Sequence, residues 1–147
     1  MSPLRAGEWA PLPLRLALGG GLAWHGGIKL FADGGHANIS HLIGALGMPF
    51  PDALGWLTAV IEFGGGLGML IGAWTRVSAG INAANVAALL ILAALRGGIP
   101  APLPGGDPLP HAEFAALILA GTLALTLTGG GRWSLDRRRG AGLPRTQ

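Results

Sequence analysis

The stretch RVSAGINAANVAALLILAALR, Arg76 to Arg96, carries no charge between its two arginines. A helix that crosses the hydrocarbon core of a bilayer needs about 20 predominantly apolar residues. This segment supplies them and ends on a cation at both sides. Residues 114–131 form a second uncharged run, between Glu113 and Arg132. Two more apolar stretches, about 12–31 and 53–75, have similar reach but contain embedded charges. Half of the 147 residues are hydrophobic and 12% are charged, against about 25% charged in a soluble domain. Mean hydropathy is +0.52. The fold class expected is all-α: an integral-membrane four-helix bundle, one domain over 1–147, with helices at about 12–31, 53–74, 77–96 and 111–128 and a basic tail over 129–147.

Local signals refine this outline. Pro11 and Pro13 suit the first turn of a helix, where a missing N–H costs little. Met1 to Gly20 is interrupted by Glu8 and by prolines, and no clear A-x-A site follows, so the first helix is expected to be retained rather than cleaved. HANISHLIGALGM, His36 to Met48, spaces Ile39, Leu42, Ile43 and Leu46 at helical intervals. That pattern predicts a short amphipathic helix lying at the membrane interface. GGIPAPLPGGDPLP, residues 97–110, is a Pro/Gly loop with His111 at its end.

Charge placement sets orientation. Four helices bring both termini and the turn at 75–76 to one side, with Arg5, Arg15, Arg76, Arg132, Arg137, Arg138, Arg139 and Arg145. The positive-inside rule makes that side cytoplasmic, in a bacterial inner membrane. The net charge is +3. The Arg137–Arg139 run reads as a topology anchor, so no nucleic-acid partner is expected. Cysteine is absent, which removes thiolate ligands and thiol relays contributed by this chain. His36 and His41 lie in the loop without metal-ligand spacing, so no metal is expected.

Small residues recur along the helices. Gly64, Gly68 and Gly72 repeat every four residues, as do Gly19, Ala23 and Gly27, Ala79, Ala83 and Ala87, and Ala116, Ala120 and Ala124. Small-xxx-small ridges let helices approach closely in lipid, so Gly64, Gly68 and Gly72 are expected to pack the bundle. EFGGGLG, residues 62–68, lacks the preceding strand and the lysine of a phosphate-binding loop.

The polar residues inside these segments carry the functional expectation. In AWHGGIKLF, Ala23 to Phe31, His25 and Lys29 are four apart and share a helical face. Counting 1.5 Å per residue along each helix sets His25 level with Glu62, and Lys29 level with Glu113. The expected arrangement is therefore His25 opposite Glu62 as a functional pair and Lys29 with Glu113 as a boundary ion pair. A lone charge at the bilayer centre costs on the order of 3 kcal/mol, so such groups face the interior and mark function. A quinone needs a flat apolar slot, a donor at each carbonyl and a proton acceptor, which His25 and Glu62 supply. Trp24 and Asn85 complete the expected pocket. A proton relay would use the same residues.

At this point the sequence resembles the DoxX family of small bacterial membrane proteins. The matching segments are RLALGGGLAWHGGIKLF (15–31), ISHLIGALGMPFP (39–51), AVIEFGGGLGMLIGAWTR (59–76) and TGGGRWSLDRR (128–138). The positions that fit the family pattern are His25, Gly26, Lys29, Glu62, Gly65, Glu113, Ser134 and Asp136. The resemblance implies a four-helix membrane fold with both termini inside. It also implies kinship with the membrane subunit of a thiosulfate:quinone oxidoreductase. Three functions follow as expectations: a quinone-interacting subunit of a redox system; a non-catalytic accessory subunit packed in a respiratory or photosynthetic complex, or self-associated; and a small proton-coupled transporter. No covalent cofactor is expected.

Overall fold

The computed structural model describes residues 9–98 and 112–140. The Pro/Gly loop from 99 onward, His111, Arg5 and Arg145 lie outside the described residues. Every regular element among the described residues is helical. In chain order these are α1 (Pro11–Phe31), α2 (Ala37–Ala45), α3 (Pro51–Ile71), α4 (Thr75–Leu95), α5 (Ala112–Thr128) and α6 (Leu135–Gly140). The four long helices are neighbours in the order α1, α3, α4, α5 and back to α1, and α2 packs on α3.

The bundle buries small and polar residues beside its apolar core of Leu22, Met69 and Leu125, and it exposes many large apolar side chains. Its buried positions include Gly19, Gly26, Gly66, Ala79, Thr122, Arg15, Glu62 and Asn82. Its exposed positions include Leu16, Val60, Leu67, Ile81, Ile91, Leu117 and Leu127. α3 and α4 are long and apolar enough to cross a membrane, and only 33% and 28% of their apolar windows are buried. A core helix of a soluble protein would hide its large side chains. α5 is as apolar but shorter, at 17 residues.

Close packing comes from backbone meeting backbone. A Cβ on Gly19 would lie 2.6 Å from the Leu70 amide nitrogen, and a Cβ on Gly26 would collide with the backbone of Phe63. From the other side, a Cβ on Gly66 would strike Ala23. The α1–α3 seam is thus Gly19, Ala23 and Gly26 against Gly66. The expected ridge at Gly64, Gly68 and Gly72 is not this seam. Gly64 faces open space, Gly68 makes room for the Ser78 hydroxyl of α4, and Gly72 lies in the turn after α3. A spacing of four drifts around a helix of 3.6 residues per turn, so the three glycines do not share one contact. Gly65 gives space to the Asn82 amide, which donates to Ile61 O of α3 at 3.3 Å and to Ser78 O at 3.0 Å. Gly26→Ala is expected to lower stability in detergent by about 2 kcal/mol through overpacking. Gly64→Ala is expected to be neutral or slightly stabilising, and thermal unfolding of the two variants side by side checks both.

α3 ends at Ile71 rather than at Trp74, because Gly72 (φ 74) and Trp74 (φ 51) are left-handed. This turn is held from two directions. Arg15 of α1 is 2% exposed and donates from Nε to Met69 O at 2.8 Å and from Nη2 to Leu70 O at 3.0 Å. Its Nη1 donates to Gly130 O at 2.8 Å and Trp133 O at 3.2 Å. The carboxylate of Asp136 accepts from the N–H groups of Trp74 at 2.6 Å and Thr75 at 2.8 Å, capping the start of α4. Ser134 Oγ accepts from the Arg137 N–H at 3.3 Å and donates to Gly131 O at 2.8 Å. The expected plain basic tail therefore begins as a docked clasp, and α6 is part of the fold.

At the opposite end, α2 turns its apolar face inward. Ile39, Leu42, Ile43 and Leu46 form one cluster with Ala93 of α4, and Leu54 and Leu89 pack against it. The apolar face read from sequence covers the end of the bundle. His36 stacks on Trp56 of α3 with ring centroids 4.3 Å apart.

Candidate functional site

Beneath α2 lies a cavity of about 380 Å3, within the size range of small-molecule pockets. Its roof is Ile39 and Leu42 of α2, with Asn38 beside them. Leu89 and Ala93 of α4 and Ile118 of α5 make apolar walls. The polar groups collect on the α1–α3 side, where His25, Lys29 and Glu62 all line it.

Lys29 and Glu62 form an ion pair, Nζ to Oε2 at 2.5 Å, with side-chain exposures of 22% and 10%. The local sequence explains the meeting. Glu62, Gly66 and Met69 share the buried face of α3. Gly26 brings the α1 backbone onto Phe63, immediately beside Glu62. Lys29 follows Gly26 by almost one turn and extends from the last turn of α1, where the helix dipole favours a cation.

The partners differ from those counted along the sequence. Lys29 reaches Glu62, whereas Glu113 is exposed in the first turn of α5 and makes no ion pair with it. The physical reason is direction rather than height. Gly26 lies against the backbone of Glu62 and Phe63, so His25 is close to the height of Glu62 as counted, but its side chain sits at the exposed edge. Lys29, one turn further on, has a long side chain that leans back toward the start of its helix and reaches the carboxylate. His25 is exposed at the cavity edge rather than buried opposite Glu62, and Trp24 beside it is 70% exposed. Asn85 does not line the cavity. Its Oδ1 accepts from Thr58 Oγ1 at 3.4 Å across the α3–α4 contact.

Trp24, His25, Lys29 and Glu62 are therefore brought together, and Asn85 and Glu113 stand apart. The sequence reading missed Phe114 as a wall, α2 as the roof, and Arg15 as the tie at the far end. Arg15 had a signal: it is a cation inside the first half of an apolar helix, and such a residue needs partners. As chemistry, the site offers a carboxylate and an ammonium in contact, an imidazole within the same cavity, and apolar walls. It can donate hydrogen bonds to a carbonyl from Lys29 Nζ or the His25 ring and hold a proton at Glu62.

The family model for DoxX matches residues 10–95, from the start of α1 to the end of α4. Curated proteins and solved structures give no match. The matched region is more than half of the chain and contains Gly26, Lys29, Glu62 and Gly65, whose contacts join α1 to α3 and α3 to α4. With a lipid-suited exterior and two helices able to span a membrane, the chain belongs to the DoxX family of membrane proteins.

Proposed function

We propose that this chain is a quinone-interacting membrane subunit of a redox system. In this reading α1, α3, α4 and α5 all cross the bacterial inner membrane, with both termini cytoplasmic. The observation that carries it is the cavity beneath α2, apolar on most sides and closed on one side by the Lys29–Glu62 pair. The donor set fits a quinone: Lys29 and His25 are donors for a ring carbonyl, Glu62 is a proton acceptor, and the walls suit an apolar ring. A bound quinone supplies a two-electron, two-proton couple. The chain's own part is to orient the ring, keep water away from it and hold a proton at Glu62. Orientation is supported by Arg76, Arg132 and Arg137 at the end opposite the cavity, where positive-inside charge is expected.

The test is equilibrium binding of a quinone to the protein in lipid nanodiscs. His25→Ala, at the exposed edge, is expected to fold normally and bind about tenfold more weakly, the equivalent of one hydrogen bond of about 1.4 kcal/mol. Wild-type affinity in both His25→Ala and Glu62→Gln would overturn the assignment. A second reading, an accessory subunit in a larger membrane complex, is favoured by small residues that face outward. Gly21, Gly64, Ala116 and Ala120 are exposed, where close helix contact with another chain is possible. A large, reproducible complex in mild-detergent purification supports that reading, and a free monomer opposes it.

A further inference from the structure

We propose that the cavity takes its ligand sideways from the bilayer, between α1 and α5, and that the ligand is a long-chain polyprenyl quinone rather than a tailless one. This inference rests on the quinone reading. Its physical basis is the way the flanks of the cavity are closed. α1 and α3 touch backbone to backbone at Gly19, Gly26 and Gly66, which leaves no passage. α2 is sealed onto α3 and α4 by Ile43, Leu46, Leu54 and Ala93. α1 and α5 meet closely only in the half nearer Arg15. There Leu18 lies 2.6 Å from where a Gly121 Cβ would sit, and Leu14 and Leu18 pack on the cluster that holds Leu125.

Toward α2 the two helices stop packing on each other. Trp24, His25 and Ile28 of α1 and Phe114 and Ala115 of α5 line the cavity instead. The outer edge of this gap is mostly apolar, with Trp24 70%, Phe114 50% and neighbouring Leu117 69% exposed, and the exposed His25 adds a polar side chain to it. The rim of this flank favours hydrocarbon over water. The polar groups lie on the α1–α3 side. A cavity of about 380 Å3 is at the small end for ligands. It accommodates a ring and the first part of a chain, so a polyprenyl tail must leave between Trp24 and Phe114.

The experiment uses the full chain in nanodiscs with two probes, a polyprenyl benzoquinone and the same ring without a tail, compared at equal mole fraction in the lipid. The long-chain probe is expected to bind at least tenfold more tightly. Ala115→Trp, which fills the gap and leaves Lys29 and Glu62 in place, is expected to reduce its binding about tenfold. A photoreactive group on the first prenyl unit gives a readout that needs no variant. It is expected to label α1 and α5 around Trp24 and Phe114. Equal binding of both probes, or labelling confined to α2 and α4, overturns lateral entry while the quinone reading stands. Binding of neither probe by the wild type overturns both.

Discussion

Arg15→Ala is expected to lower the stability of the chain in detergent by about 4 kcal/mol or more, and to release the segment after α5 to proteolysis. Arg15 serves four carbonyls: Met69 and Leu70 at the end of α3, and Gly130 and Trp133 beyond α5. The last carbonyls of a helix have no intrahelical partner, and a cation there also meets the negative end of the helix dipole. Alanine leaves the acceptors without this donor, each at about 1–3 kcal/mol where water does not replace it, and opens a cavity at a buried position. The local backbone is built for arginine. A Cβ on Gly72 would collide with the guanidinium, and Gly72 is also required to be left-handed at φ 74. Arg15→Lys is expected to recover only part of the loss, since an ammonium cannot reproduce the planar fork. Unfolding midpoints of the three proteins, with limited proteolysis near Trp133, check this. An Arg15→Ala variant as stable as wild type would mean that the clasp is incidental.

The helices were legible in the sequence because lipid demands long apolar runs, and the uncharged span from Arg76 to Arg96 meets that demand directly. Their ends were legible where proline or glycine marks them, as at Pro11 and near Gly129. The end of α3 was not, because Trp74 adopts a left-handed conformation that its residue type disfavours. That conformation is held by Asp136, which is 62 positions away in sequence. Such long-range caps leave no periodic trace.

The site was legible in its membership more than in its pairing. His25, Lys29 and Glu62 stood out as ionisable groups in apolar segments, and all three border one cavity. Their pairing depends on how the side chains point and reach. Contact at Gly26 and Gly66 sets His25 near the height of Glu62, yet the exposed His25 ring stays at the cavity edge while the longer Lys29 side chain reaches the carboxylate. Counting residues along each helix gives height and says nothing of reach. The amphipathic stripe of α2 was read correctly as a stripe. A stripe says that one face must be covered, and does not say whether lipid or protein covers it.

Lys29→Met is expected to destabilise the chain by about 3–5 kcal/mol, because it leaves Glu62, 8% exposed, without its cation. Glu62→Leu is expected to cost less, about 1–2 kcal/mol. Lys29 lies in the last turn of α1 with 22% of its side chain exposed, so its flexible stem can turn the ammonium toward water. The double variant Lys29→Met/Glu62→Leu is expected to recover most of the stability lost in Lys29→Met, since replacing a buried pair by apolar groups of similar volume is often near neutral. The three variants and wild type form a double-mutant cycle, read by unfolding in detergent, with the coupling energy given by the departure from additivity. Quinone affinity separates fold from function. The double variant is expected to fold and still lose the polar end of the cavity, and with it at least tenfold in binding. A double variant that is both stable and fully binding would make the pair a packing device and would leave the proposed quinone site without its anchor. A Lys29→Met variant as stable as wild type would show that Glu62 is balanced in another way.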